Sequence, residues 1–478
     1  MGGLKEKTVK GVVWSGFDKF TTLFVQSICG LIIARFVLPH DYGIVGIIFI
    51  FISICNTLVD SGFSQVLIRK KTSTDVDYST IFYLNIFIGI LIYVLIFYLS
   101  PSLEAFYNIE NLSTVSRVAF IVIPINSFSL IQYTLLQKKI DFKQISKINI
   151  ISVGISAIVG VFAAYIMRNV WALVLQNLLY SIIRMALLWC LNKWQPIFTF
   201  SFQSLKEMFP LSISLLLYSL LSTITNNIYG LIIGKAFSSK ELGLYSQAEK
   251  LEKIPSESFT DVINKVTFPV LSKLQDDDEQ MKYGYKKIIK ITFFILSPIL
   301  LFLSIESQNI FSIILPPEWE KANVYFSLLC WTGIMFPLHK INLNILIVKG
   351  KGRTNILLEV IRKSIMIAML FLTLSYGIEA VLLGYIAYSF IALFINMHYC
   401  GKLINLSIKE QLMDILPIFI LTLTFYPINY LVDTIITNSL FHVVVTFLLC
   451  ALFYIGISYI LKLSVFKDII NLIKVRNG

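Results

Sequence analysis

Charge is scarce in this chain. Only 14% of its 478 residues are Asp, Glu, Lys or Arg, where a soluble domain carries about 25%; most of the surface must therefore face lipid or other apolar helices. Histidine is scarcer still. His40, His339, His398 and His442 are the complete set, and none has a partner at metal-ligand spacing. Six cysteines, Cys29, Cys55, Cys190, Cys330, Cys400 and Cys450, are scattered through or beside apolar runs. They lack the close spacing of a zinc site or redox motif and read as small buried hydrophobes. No phosphate-cradling glycine loop occurs. The net charge of +12 does not call for a nucleic acid, because membrane topology and anionic headgroups account for it.

Apolar length is what the chain has in abundance. Uncharged runs cover 78–103, 118–137, 148–167, 208–234, 380–401, 415–432 and 434–461, each reaching or approaching the roughly 20 residues of a spanning helix. The expectation is an all-α polytopic membrane protein with about 14 transmembrane helices. They fall near 12–35, 42–68, 78–100, 115–137, 147–167, 170–191, 208–236, 243–272, 288–306, 322–348, 355–376, 379–400, 413–432 and 440–461. The basic start, MGGLKEKTVKGVVW, lacks a small-residue cleavage site and reads as a retained first helix.

Lysine and arginine orient these helices. Of the 40 basic residues, 28 fall on alternate turns: Lys5, Lys7 and Lys10, then 69–71, 138–147, 193–206, 273–290, 349–363, 402–409 and 462–476. The opposite turns and helix ends hold Arg35, Arg117, Arg168, Lys235, Lys240 and Lys321. The positive-inside rule then places both termini in the cytoplasm, which demands an even number of spans.

The chain also repeats. GLIIARFVLPHDYGIV at 30–45 returns 200 residues later as GLIIGKAFSSKELGLY at 230–245. Gly30, Gly43, Arg35 and Asp41 are answered by Gly230, Gly243, Lys235 and Glu241. A weaker echo links 171–183 with 379–391, where Ala172, Tyr180 and Ser181 meet Ala380, Tyr388 and Ser389. Two pseudo-symmetric six-helix lobes follow, 1–200 and 201–402, with two extra C-terminal helices and a cytoplasmic basic tail in 403–478. The lobes are parallel repeats about an axis along the membrane normal.

Polar residues inside apolar helices are costly and mark interior surfaces. At about 100° per residue, Ser246, Lys250, Lys253, Glu257, Asp261 and Asn264 share one stripe of the 243–272 helix. That stripe either lines a water-filled space or belongs to an amphipathic helix at the membrane surface; helix parity favours the first. Asp18, beside Lys19, is a coupling carboxylate, a salt-bridge partner or an interfacial residue. Asn56, Asp60 and Gln65 end the second helix. Asn226 and Asn227 contact substrate or hold helices together. His339, Lys340, Asn342 and Asn344 crowd one helix, and Arg184 reads as snorkelling to the inner headgroups. Arg35 and Lys235 guard an outer mouth or anchor to outer headgroups. The longest outer segments, about 100–114 and 307–321, are too short for a catalytic domain, so a transporter is expected and an enzyme is not.

Several stretches resemble Wzx-type oligosaccharide flippases of the MOP superfamily, in the branch of colanic-acid-like and teichuronic-acid-like exporters. They are ARFVLPHDYGIV (34–45), DSGFSQVLIRKK (60–71), STIFYLNIFIGI (79–90), NVWALV (169–174), LIIGKAFSSKELGLYSQAEKL (231–251), FPVLSKLQDD (268–277) and KGKGR (349–353). The resemblance covers nearly the whole chain. It implies the flipping of undecaprenyl-diphosphate-linked repeat units across the bacterial inner membrane by alternating access, for surface polysaccharide. By likeness to flippases of the peptidoglycan precursor, Lys19, Lys250, Lys253 and Lys340 become diphosphate or sugar-acid contacts, with Glu257, Asn226, Asn227 and His339 beside them in the cavity. The last two helices become a lipid-tail dock. Asp18 and Asp60 are the candidates for coupling to a proton or sodium gradient; no other cofactor and no metal is expected. A polysaccharide polymerase and chain-length proteins are possible partners, and a monomer can enclose the cavity. The chain departs from the family's NN-x-D pattern, with Tyr229 in the acid's place, and carries Gln247 where an arginine follows YS. The other readings are a cation-coupled drug exporter of the MATE type, resting on Asp18, and a membrane glycan polymerase.

Overall fold

The computed structural model describes residues 2–466 and 468, without the side chains of 2–10, 12, 13 and 266. Of the residues counted in the charge argument, Lys467, Lys474 and Arg476 thus lie outside the described residues, as do the side chains of Lys5, Lys7 and Lys10. Apolar chain in lipid must satisfy its backbone groups internally, and among the described residues there are helices but no strand.

The order begins α1 (Gly2–Ala34), α2 (Pro39–Asp60), α3 (Phe63–Arg69), α4 (Asp75–Tyr107), α5 (Leu112–Ala119), α6 (Val122–Lys138), α7 (Phe142–Met167), α8 (Val170–Leu191) and α9 (Phe202–Ala236). It continues with α10 (Ser239–Lys273), α11 (Asp278–Ile305), α12 (Ser307–Ile314), α13 (Ala322–Val348), α14 (Gly352–Thr373), α15 (Ile378–Leu403), α16 (Ile408–Leu423), α17 (Phe425–Asp433) and α18 (Ser439–Ile460). Among the described residues, twelve spans are long and apolar enough to cross a membrane, taking α5–α6 and α16–α17 each as one. This is a multi-pass, all-α membrane protein. The other two helices of the expected fourteen form as helices, α10 and α14, but fall outside that apolar set. Glu249, Glu252, Lys250 and Lys253 crowd α10, and Arg353, Glu359, Arg362 and Lys363 crowd α14.

Local chemistry explains the breaks. The expected 42–68 helix divides because Ser61 (φ 49°) and Gly62 (φ 75°) turn left-handed, a conformation glycine takes without penalty. At α4, Thr74 and Asp77 form a reciprocal capping box, as do Ser407 and Glu410 at α16. The outer segments near 100–114 and 307–321 are largely helical, since α4 runs through Pro101 and α12 occupies 307–314.

Two compact units result, Met1–Ser246 and Gln247–Gly478, so the division falls within α10. In the first unit α1 packs along α7, and α2 along α9. The repeated turns meet there reciprocally. A Cβ on Gly43 would lie 1.7 Å from the Ser239 carbonyl oxygen, and one on Gly243 would lie 1.8 Å from that of Pro39. Each glycine is the point where its copy's helix start crosses the other's. In the second unit α13 packs against α15 and α11, and α16–α18 pack along α11 and α12.

Candidate functional site

The first unit contains a cavity of about 520 Å³ lined by Phe49, Ile52, Ser53, Asn56, Thr57, Asp60, Asn177 and Ser219. Three helices supply it. α2 presents Phe49–Asp60 at helical spacing, α8 gives Asn177 and α9 gives Ser219. The polar side chains are cross-braced: Asn126 Nδ2 donates to Asn56 Oδ1 at 3.3 Å, and the Thr57 and Thr223 hydroxyls lie 3.2 Å apart. Asp60 accepts from the Ser64 backbone N–H at 3.3 Å and from the Ser64 hydroxyl, which in turn accepts from Thr134 at 3.1 Å. One carboxylate, two amides, three hydroxyls and an aromatic edge suit a ligand rich in hydroxyl groups. Asn56 and Asp60 stand out in the sequence as polar residues in an apolar helix. Asn177 does not, because its helix holds adjacent Gln176 and Asn177 and spacing alone does not say which faces inward.

Asp18 lies elsewhere in this unit. Its carboxylate accepts from Asn149 Nδ2 at 2.9 Å and from Thr22 Oγ1 at 3.3 Å, which ties α1 to α7. Arg184, read from the sequence as snorkelling, is half-buried. Its guanidinium sits 4.7 Å from the Tyr133 ring centroid, a cation–π contact inside the bundle, and its Nε is buried. Lys19 is half-buried. Asn227 Nδ2 donates to its own helix at the Thr223 carbonyl, 2.8 Å away, and exposed Asn226 to Ser222 Oγ at 3.4 Å. Lys235 donates to the Phe106 carbonyl and stands 4.4 Å over the Phe106 ring, while Arg35 is exposed.

The second unit holds the charged helix. α10 is 35 residues long, about 50 Å at a 1.5 Å rise, and continues through Pro255 and Pro269. Lys250, Glu257 and Asp261 are half-buried. Lys253 Nζ pairs with Glu249 Oε1 at 3.0 Å, and Asn264 accepts from Asn344 at 3.0 Å. Periodicity misses a second polar line, Glu252, Ser256 and Thr260, which is the buried one. The two hydroxyls bond back to carbonyls of their own helix, at 3.2 and 2.6 Å. Glu252 Oε1 has no hydrogen-bond partner and lies where a Cβ on Gly333 would be 2.0 Å away, so the carboxyl uses the space that glycine leaves on α13.

His339 and Lys340 part company. Asn396 Nδ2 lies 3.0 Å from His339 Nδ1, and Ser389 Oγ lies 3.3 Å from Nε2; the ring fastens α13 to α15. Lys340 is exposed, 5.7 Å over the Phe336 ring. Arg362, counted with the lysine-rich turn, is instead buried in α14, paired with Glu359 and donating to the Leu358 carbonyl at 3.2 Å.

Known proteins share this architecture. The fold matches lipid II flippase MurJ in its inward closed conformation with a TM-score of 0.76 at 16% identity, over 97% of this chain and 100% of that one. An inward-facing multidrug resistance MATE transporter of the MOP superfamily matches with a TM-score of 0.63 at 13% identity, over 80% and 94%. The fold is thus that of a MOP transporter. The chain belongs to the polysaccharide biosynthesis protein family, which matches residues 32–324. It is 28% identical over 301 residues to the teichuronic acid biosynthesis protein TuaB of Bacillus subtilis (strain 168), a match spanning 62% of each chain. It is also 25% identical over 338 residues to the lipopolysaccharide biosynthesis protein WzxC of Escherichia coli (strain K12), over 70% of this chain and 68% of that protein. These findings bear out the resemblance to Wzx-type flippases and the reading of a transporter rather than an enzyme.

Proposed function

We propose that the chain flips a polyprenyl-diphosphate-linked oligosaccharide repeat unit across the bacterial inner membrane by alternating access. Membership of the polysaccharide biosynthesis family carries this reading, and the fold shared with a lipid II flippase and a multidrug resistance transporter supports it. The substrate has three chemically distinct parts. Its sugars need hydrogen bonds from amides, hydroxyls and carboxylates, which the cavity at Asn56, Asp60 and Asn177 offers. Its diphosphate needs cations, for which Lys19, Lys250, Lys253 and Lys340 are the candidates, with Glu257 on α10, His339 on α13 and Asn226 and Asn227 on α9 as further candidate contacts. Its tail needs apolar surface, and α16–α18 expose Leu416, Ile420, Phe447 and Leu452 among others.

In this reading the two lobes of the repeat, 1–200 and 201–402, alternate about the site, and 403–478 holds the tail. Both termini are cytoplasmic, the protein acts as a monomer, and polymerase and chain-length proteins take over its product. Arg35 and Lys235 line the outer mouth. Asp18 and Asp60 are the candidates for coupling to a proton or sodium gradient. Replacing Lys250 and Lys253 together by alanine is expected to reduce surface polysaccharide at least tenfold at unchanged protein level. Unchanged polysaccharide rejects these lysines as diphosphate contacts. Drug sensitivity on deletion with intact surface glycan rejects the flippase reading in favour of a drug exporter.

A further inference from the structure

Outside the cavity and the α10 stripe, the second unit buries one cluster of titratable groups that the transport reading does not use. His442, in the first turn of α18, is 2% exposed, and Glu306, between α11 and α12, is 0% exposed. Nδ1 of His442 lies 3.1 Å from Glu306 Oε1 and 3.2 Å from Oε2. On the other side of the ring, Nε2 lies 2.8 Å from Oδ1 of Asp433, the last residue of α17, at ion-pair distance though not in hydrogen-bond alignment. Asn309 of α12 donates to Glu306 Oε2 at 3.1 Å and lies 3.0 Å from Nδ1. Thr446 Oγ1 stands 3.5 Å from Nδ1, and Cys450 is buried two turns along α18.

Both ring nitrogens therefore face carboxylates. A carboxylate accepts hydrogen bonds and donates none, and a neutral imidazole carries a single N–H. Only the imidazolium sets a positive charge between Glu306 and Asp433. Without that second proton, one lone pair opposes a carboxylate at 2.8–3.2 Å. Glu306 is enclosed, so the group able to leave is Asp433, whose side chain is 54% exposed. The three residues come from three places, the α11–α12 junction, the end of α17 and the start of α18. The cluster sits at the opposite end of α11 from Lys282, Lys286, Lys287 and Lys290.

We propose that Glu306, His442 and Asp433 form a proton-binding site that latches the C-terminal helix pair to the α11–α12 junction. With the proton bound, the imidazolium bridges both carboxylates and the α17–α18 turn is held. When the proton leaves, Asp433 moves out to water and the turn loosens. Histidine is the side chain whose ordinary charge change falls between about pH 5 and 8, so the latch responds to the pH on its own side of the membrane. On the positive-inside orientation that is the outer side. The pair it holds lies outside the internal repeat, so the latch can act on it without altering the lobes.

The test places spin labels at Ser312→Cys and Ile435→Cys in the full chain without its six native cysteines. Both positions are exposed. Labelling is done once, and the distance is then read at pH 5.5 and 8.5 by double electron–electron resonance. One narrow distance at pH 5.5 and a broadened or second, longer one at pH 8.5 are expected. Asp433→Asn decides the mechanism, because an amide can donate to the Nε2 lone pair of a neutral ring. That variant is expected to keep the narrow distance at both pH values. Ring nitrogen NMR on the purified protein should show both His442 nitrogens protonated at pH 5.5. A wild-type distance that ignores pH overturns the proposal, as does an Asp433→Asn variant that responds to pH like the wild type. His442→Gln supplies the control in which any pH response must vanish. If it does not fold, the Asp433→Asn comparison stands alone, since that side chain is half in water.

Discussion

At the scale of single residues, the polar groups divide by where their hydrogen bonds go. Asn227, Ser256 and Thr260 spend theirs on their own helices, and His339 spends its on the neighbouring α15. Asn56 and Asp60 belong to a set that still faces open volume. Asn56→Ala and Asp60→Asn are therefore expected to lower export of surface polysaccharide several-fold while stability changes by about 1 kcal/mol, the scale of the single hydrogen bonds to Asn126 and Ser64 that they alter. Export assays beside melting curves check this; a large stability loss with normal export per folded molecule would assign both residues a structural role only. Both were visible in the sequence as polar breaks in an apolar run. Asn177 and Glu252 were not, because facing direction in a helix depends on its neighbours.

At the scale of elements, close approach is the controlling quantity. Gly43 and Gly243 each lie where a side chain would strike a backbone carbonyl of the other repeated turn, at 1.7 and 1.8 Å, and backbone cannot yield as a side-chain tip can. Gly43→Ala is expected to destabilise the protein by about 1–3 kcal/mol. Gly154→Ala, with nothing within 4 Å of its Cβ, should be neutral or slightly stabilising, because alanine favours helix. Thermal unfolding of the purified variants in detergent reads the difference, and equal melting of the two would refute the crossing. The repeat announced that the two turns are related. Their reciprocal contact depends on how α2 and α10 cross, which the letters do not state.

For the whole molecule, topology is the decisive property. The lysine-rich turns at 69–71 and 349–353 are predicted to be cytoplasmic, and the turn at 434–438 to lie outside. Single cysteines at 351 and 437 in a cysteine-free chain should react oppositely with an impermeant thiol reagent applied to intact cells, with 437 labelled and 351 labelled only after lysis. Labelling of 351 in intact cells would reverse the orientation and with it the side on which the His442 latch senses pH.

Sequence alone determined that this chain is a helical membrane protein, because lipid allows only internally bonded backbone and the apolar runs declare their own length; its likeness to flippases rested on the motifs instead. Sequence also determined the duplication, which is a property of letters. Two expected spans, α10 and α14, were legible as helices though not as apolar ones, since their charges are read as exposed until partners are known. Only the tertiary structure decided which polar residues converge. Asp18 meets Asn149, Arg184 meets Tyr133, and His442 lies between Glu306 and Asp433. Asp18 and Asn149 stand 131 residues apart and His442 and Glu306 136; the other pairs are nearer in the chain but lie on helices whose rotation is set by packing, and no period in the sequence records that rotation.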